Sequence, residues 1–333
     1  MVNFDSFYMQ AALDEAWKFQ GLTYPNPAVG AVVVKDGKLL SIAAHQQAGA
    51  PHAEVLAIKD AYYALTKDEE ILPINESLHL HNYLLKNAGE LFRDATMYVT
   101  LEPCFHYGKT PPCSLLIKNL GFKRIVIAIL DPNKKATGGA RYLKESGLEV
   151  VVGVKEQEAK DLLEPFIRWS KSRFIFFKFA QTINGNLTAG TISNIQSREI
   201  VHQLRNKIDL LVIGGNTVRK DRPILDSRLV QGRAPDVLIY SKKTEFDAKI
   251  PLFKVPKREV FIEDSLERVK EYKFIMVEGG EGMLKATRAL VDWYMIFIAP
   301  KSLEKPNYTF NKKLRFLHTQ NIGDDLLIWS KNG

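Results

Sequence analysis

Cysteine is the residue this 333-residue chain most conspicuously lacks: it has two, beside four tryptophans and six methionines. Two thiols cannot build the disulfide framework of a small secreted protein, and a stable bridge is rare in a reducing compartment. No apolar run reaches the ~20 residues of a membrane span. The opening MVNFDSFYMQAALDEAW has no basic cluster and does not read as a targeting peptide. It reads as an amphipathic helix with Asp5 or Ser6 near its cap. No repeat or low-complexity tract is visible, and the expected location is cytoplasmic.

The length fits two domains, and 46% hydrophobic residues suffice for two cores. Charge is unevenly shared. Residues 1–153 hold 15 Lys and Arg against 16 Asp and Glu, whereas residues 154–333 hold 31 against 22. A basic second half suits an anionic partner, either a phosphorylated small molecule or nucleic acid, although a solvated lysine-rich surface gives the same balance.

Both cysteines fall in one run, EPCFHYGKTPPC, where Cys104 and Cys113 each follow a proline; His52-Ala53-Glu54 lies upstream. One imidazole, two thiolates and a nearby carboxylate that is not a ligand are the components of zinc-dependent nucleobase deamination. Zinc takes nitrogen and sulfur ligands tetrahedrally, and a catalytic site keeps one position for water. The metal brings that water's pKa towards neutrality for attack on an amino-bearing ring carbon. A carboxylate two residues past the histidine can carry the proton to the ring nitrogen and the departing ammonia. A lone H-x-E is common by chance, a short disulfide could account for the cysteines, and the usual deaminase signature has only two residues between its thiols.

The first half alternates strand and helix. AVGAVVV (28–34) is β-rich, and Asp36-Gly37 signals a hairpin before LLSIAA. A helix is expected from about Pro51, with His52 and Glu54 in its first turn. TMYVTL (96–101) reads as a buried strand leading into Glu102-Pro103-Cys104, SLLIKNLG as a helix ending at Gly121, and RIVIAIL (124–130) as a central strand. In the second half, strands are expected at 174–183, 209–214, 236–240, 259–263, 274–279 and 294–300. FIMVEGGEGML passes there from strand to helix through glycines that let a backbone approach a phosphate, or that merely make a tight turn.

TYPNPAVGAVVV, the HAE triplet and TLEPCFHYGKTPPC together resemble the deaminase domain of the bifunctional RibD family of riboflavin biosynthesis, in which the wide cysteine spacing is the rule. The resemblance implies that His52, Cys104 and Cys113 bind zinc, that Glu54 is the catalytic proton shuttle, and that Asn26 and His106 contact substrate. Two features depart from the family. About fifty residues separate Glu54 from Cys104, roughly twice the expected number, and the excess (65–94) reads as a surface insertion carrying His79 and His81 in an exposed loop. The DPNP turn and G-x-G of the family appear as Asp131-Pro132-Asn133-Lys134 and Gly138-Gly139-Ala140.

KFAQTINGNLTAG, VHQLRNKIDLLVIGGNTVRKDRPILDSRL and VEGG followed by LVDWYMIFIAPK resemble the family's reductase domain, which is dihydrofolate-reductase-like and uses NADPH. Thr217, Asp221, Gly280, Glu281 and Gly282 are thereby expected at the cofactor, and Arg205, Leu225, Arg228 and Glu278 at the substrate. Guanidinium forks suit a substrate phosphate. GTISN (190–194) is shortened and lacks the family's tryptophan, and Arg222 replaces the second aspartate of D-D-P.

The expected architecture is α/β, a cytidine-deaminase-like three-layer sandwich (1–153) followed by a dihydrofolate-reductase-like domain (154–333), with the junction in 155–172. The expected enzyme uses Zn2+ to deaminate 2,5-diamino-6-ribosylamino-4(3H)-pyrimidinone 5′-phosphate. It then uses NADPH to reduce the ribosyl side chain to ribityl. The resemblance further implies a homo-oligomer, a dimer, with no nucleic-acid or membrane partner. A nucleic-acid deaminase and a non-catalytic zinc scaffold are the rival readings.

Overall fold

The computed structural model describes residues 3–106, 111–133, 137–188, 190–303 and 305–333; the middle of the cysteine loop and Lys134 lie outside them. The chain divides into two compact units, Met1–Ile167 and Arg168–Gly333.

In the first unit the chain runs α1 (Phe4–Trp17), β1 (Gly30–Lys35), β2 (Lys38–Ala44), α2 (Ala53–Thr66), a short 3-10 turn, α3 (Ser77–Asn87), β3 (Thr96–Val99), α4 (Cys113–Asn119), β4 (Arg124–Ile127), α5 (Gly139–Glu145), β5 (Glu149–Val152) and most of α6 (Glu156–Lys171), whose last turn belongs to the second unit. The helix α6 fills the stretch in which the junction was expected. The sheet order is β2-β1-β3-β4-β5. The strand β1 runs antiparallel to both its neighbours, β2 and β3, whereas β3, β4 and β5 run parallel. Asp36 and Gly37 both have positive φ, as a tight hairpin turn with the strands' own twist requires.

Side chains alternate across β1. Ala31 and Val33 join the core formed with α2, α3 and α4. Gly30 faces α1 on the other side, where a Cβ would come within 1.9 Å of the Ala12 carbonyl oxygen. A helix on each face makes the three-layer sandwich.

Two expectations need correction. Asn3, rather than Asp5 or Ser6, caps α1, its Oδ1 accepting from the Ser6 amide at 3.2 Å. Asp5 instead holds Arg124 of β4 at 2.7 and 2.8 Å. The 65–94 segment is no surface decoration, because Ile71, Leu80, Leu84 and Phe92 are 0% exposed and lie in the same core as α2 and α4. Lys59 of α2 donates to the Leu72 and Ile74 carbonyls at 2.9 and 2.7 Å, and Asp68 accepts from the hydroxyls of Tyr62 and Tyr83. His79 and His81 stand on α3 rather than in a loop. His79 is exposed and His81 buried.

The second unit comprises β6 (Phe174–Thr182), α7 (Ile195–Arg205), β7 (Leu210–Gly214), α8 (Gly215–Asp221), β8 (Asp236–Tyr240), β9 (Val260–Glu263), β10 (Phe274–Glu278), α9 (Glu281–Ala286), β11 (Trp293–Ala299), β12 (Leu314–Ile322) and β13 (Asp325–Asn332). They form one sheet in the order β12-β13-β11-β6-β10-β7-β8-β9. Pairing is parallel from β11 to β9 and antiparallel only where β13 meets β11 and β12. Such a sheet gathers the turns after β10, β7 and β8 at one edge, the usual ligand edge of parallel α/β sheets.

Candidate active sites

His52 is the N-cap of α2, Glu54 lies in that helix's first turn, Cys113 opens α4, and Cys104 follows β3. Thus one edge of the sheet brings together residues up to 61 positions apart. His52 Nδ1 lies 3.2 Å from Cys113 Sγ and 3.7 Å from Cys104 Sγ, and the Cys113 amide approaches Cys104 Sγ at 3.4 Å. Both thiols are free. Tetrahedral zinc, with bonds of about 2.0 Å to nitrogen and 2.3 Å to sulfur, separates such atoms by about 3.5 Å. Among the described residues, these three are the group of potential ligands whose donor atoms converge within 4.8 Å.

The charges fit a cation as well. A hydrogen bond from Cys113, opposed by burial and reinforced by His52, brings the Cys104 thiol down to about 4. The same bond, together with burial, pushes Cys113 well above its ordinary range. Burial pulls His52 down, but Cys104 and the charge of Glu54 outweigh it and hold the imidazole at about 8. Protons are thus crowded among one nitrogen and two sulfurs, the donor set for which a metal ion competes with protons. Burial lifts the Glu54 carboxyl to about 7 despite the opposing charge of His52.

A cavity of about 310 Å3 opens onto this cluster, lined also by Asn26, His45, Glu102, His106 and Phe166. Five of the six residues expected in this unit line the cavity, and the sixth, Cys113, lies 3.2 Å from His52 Nδ1. His106 stands exposed at the rim. Sequence reasoning missed His45. Its Nδ1 faces the Pro51 carbonyl at 3.1 Å and so carries the proton, leaving Nε2 to accept from Asn26 Nδ2 at 3.1 Å. Burial keeps this imidazole neutral, down to about 4. The Asn26 amide is thereby oriented with Oδ1 as its remaining acceptor. Glu102 was also passed over: its buried carboxylate accepts from the amides of Asp131, Gly138 and Ala140 and from the Thr137 hydroxyl, all at 2.9–3.0 Å. It ties the residues after β4 to the cysteine turn.

In the second unit a cavity of about 520 Å3 lies along the turns after β7, β8 and β10, and its lining includes Thr217, Gly280 and Gly282. Gly279 has φ +151, and a Cβ there would meet Met283 at 2.6 Å, so this turn requires glycine. A Cβ at Gly280 or Gly282 would find nothing within 4 Å, leaving backbone open to a ligand. Asp221 and Glu281 do not line the cavity. Asp221 is exposed at the end of α8, and Glu281 pairs with Lys285 at 2.7 Å.

The residues expected at the substrate form a second group. Arg205 Nη2 donates to both oxygens of Glu278 at 3.1 and 2.9 Å, and Lys178 approaches the same carboxylate at 3.7 Å. Arg205 Nη1 reaches the Asp226 carbonyl at 3.5 Å, and the Asp226 carboxylate pairs with Arg228 at 2.5 Å. Arg205 Nε is buried with no partner among the described residues, a donor available to a ligand. Leu225 is buried with φ +58, and Arg258 donates to the carbonyls of Leu225 and Ile224 at 2.7 Å each. Lys178 was missed because it reads as one polar residue in an otherwise apolar strand.

Residues 2–129 match the family model of the cytidine and deoxycytidylate deaminase zinc-binding region, and residues 173–328 match that of the RibD C-terminal domain. Fold and site together define a zinc-dependent deaminase joined to a reductase in one chain. A riboflavin biosynthesis protein RibD of Aquifex aeolicus is 34% identical over 379 aligned positions that cover 98% of each chain. Another, from Corynebacterium ammoniagenes, is 30% identical with 88% of this chain covered and 85% of its own. The crystal structure of a Thermotoga maritima diaminohydroxyphosphoribosylaminopyrimidine deaminase/5-amino-6-(5-phosphoribosylamino)uracil reductase is similar throughout, with TM-score 0.66, 30% identity and 99% of both chains covered. This chain belongs to the RibD family, and its two domains are the deaminase and the NADPH-dependent reductase of that family.

Proposed function

We propose that the enzyme hydrolyses the ring amino group of a diaminopyrimidine ribosyl phosphate in its first unit and reduces the ribosyl chain of the product in its second, with the residues named below. The observation that carries the first half is the approach of one imidazole nitrogen to two free thiols beside a buried carboxyl. His52, Cys104 and Cys113 would hold the zinc ion. When bound, zinc supplies a nucleophile at neutral pH by acidifying water. Glu54 moves the proton: its carboxyl, raised to about 7, can both take one up and release it near neutrality. Asn26, oriented by His45, presents its amide oxygen to the pyrimidine edge, while His106 meets substrate at the rim. Glu102 keeps the cysteine turn in place.

In the second unit NADPH supplies the hydride. Thr217 and the open turn of Gly280 and Gly282 receive the cofactor, and the residues at the glycine turn let its pyrophosphate approach the backbone. The position of Glu281 beside that turn and of Asp221 at the end of α8 is compatible with contacts through their backbone or through rotated side chains. Arg205 and Arg228 take the substrate phosphate, while Glu278 and the Leu225 backbone hold the sugar. Glu278 also compensates Arg205 and Lys178 when no anion is bound.

No helix among the described residues is long and apolar enough to cross a membrane. A homodimer in the cytoplasm completes the reading. It draws on the family likeness, on two free thiols and on the edge strand β12, which pairs on one side only and exposes Phe316. Incubation with the diaminopyrimidine phosphate and NADPH tests the whole sequence of reactions. Ammonia release should precede NADPH oxidation in equal amount, and oxidation without ammonia would refute the order.

A further inference from the structure

The segment of the second unit that carries Leu225 and Arg228 holds a backbone conformation that its own sequence disfavours. Leu225 is buried and sits at φ +58, in the left-handed region that a bulky side chain rarely enters. Such a conformation persists only where neighbouring groups hold it. Arg258 supplies that hold. Its Nη2 donates to the Ile224 carbonyl and its Nη1 to the Leu225 carbonyl, each at 2.7 Å. These carbonyls belong to the two planar peptide groups that flank the Leu225 Cα, and the relative tilt of those planes is what φ and ψ describe. One rigid guanidinium thus fixes both torsions together.

The grip is anchored on both sides. Arg258 Nη2 also donates to the carbonyl of the fully buried Leu252 at 2.5 Å, and the Leu252 amide donates to the Pro223 carbonyl at 3.1 Å. The chain that delivers Arg258 is itself held. The next amide, that of Glu259, donates to Asp236 Oδ1 at 2.8 Å, just before β9 pairs with β8. Burial draws the guanidinium down to about 10, which leaves it charged at neutral pH, and the Asp226 carboxylate offsets part of that cost. A buried charge whose hydrogen bonds run to main-chain carbonyls serves backbone geometry. Immediately downstream, the Asp226 carbonyl meets Arg205 Nη1 at 3.5 Å, and Arg228 pairs with the Asp226 carboxylate. A change in the Leu225 torsions would therefore carry this stretch away from Arg205 and Glu278.

We propose that Arg258 is a positioning residue of the reduction, a role that rests on the substrate contacts read above for Leu225, Arg205 and Arg228. It sets the Leu225 backbone and, through it, the placement of Arg228 at the substrate. It acts through the main chain and not as a catalytic group.

Steady-state reduction of the deaminated substrate by the full chain, at saturating NADPH, tests this, with NADPH affinity measured separately by calorimetry. Arg258→Lys keeps the charge but loses the planar fork, and Arg258→Gln removes both. Arg205→Gln reports on the substrate site directly. A contact made equally to substrate and transition state shows in KM and not in kcat. Loss of charge-assisted hydrogen bonds corresponds to about tenfold or more, so both Arg258 variants should raise KM by that factor and leave kcat and NADPH affinity within about twofold. An unchanged KM in the Arg258 variants, beside a raised KM in Arg205→Gln, would overturn the positioning role alone. An unchanged KM in Arg205→Gln would overturn the substrate reading beneath it. Losses shared by KM, kcat and NADPH affinity, or a second unit that fails to fold in both Arg258 variants, would make the residue purely structural and overturn the positioning role as well.

Discussion

Glu54→Gln removes the proton carrier while keeping a side chain of nearly the same size at a position only 4% exposed. Losing a positioned general acid–base costs about 10²–10⁴-fold in rate. At 1.36 kcal/mol per decade, that raises the barrier by about 2.7–5.4 kcal/mol. The measurement is ammonia release at saturating diaminopyrimidine phosphate, with zinc determined in the same sample and the reductase assayed separately on deaminated substrate. Zinc and reductase activity should match the wild type while ammonia release collapses. Ammonia release within tenfold of wild type, with zinc in place, would refute the role given to Glu54. Loss of zinc would instead make Glu54 a ligand.

Two further perturbations probe the scaffold. Leu80→Ala should destabilise the first unit by about 2–5 kcal/mol in chemical denaturation, because a buried leucine leaves a cavity. Leu78→Ala on the half-exposed face of the same helix should stay within about 0.5 kcal/mol, and equal effects would contradict the burial of the 65–94 segment. In the second unit burial works against the Glu278 carboxylate, but Arg205 and Lys178 overcome it and hold its pKa below 4.5. A depressed pKa adds stability that is present above the unfolded value and is lost as pH falls through the folded one. Acid denaturation of Glu278→Gln should accordingly be shallower than wild type as pH falls below the ordinary carboxylate range. An unchanged slope would count against the ion cluster.

The metal-site residues were legible because their chemistry demands particular side chains near particular helix starts, and strand pattern alone located β1, β3 and β4. The parallel strands of the second unit were legible for the same reason: buried on both faces, they are nearly continuous apolar runs such as FIMVE. The burial of the 65–94 segment was not. Its apolar residues are spread among Lys67, Asp68, Glu69 and Glu70, and only tertiary contact shows that Lys59 and Asp68 draw this polar chain inward. The hairpin of β12 and β13 escaped because β12 mixes charged and apolar residues on a sheet edge, where one side faces solvent. His45 gave no signal of its own. Its role comes from a neutral tautomer imposed by Pro51 and Asn26, contacts that spacing does not encode. The cavity of the second unit was half legible: glycines marked the turn after β10, but nothing in the sequence pointed to the turn after β8 that lines it too.

Metal content measured beside ammonia release tests the account most directly. The purified protein should carry one zinc ion per chain, fall silent in deamination when a chelator strips it, and recover when zinc alone is returned, with NADPH binding unaffected throughout. Undiminished ammonia release from protein free of metal would contradict it.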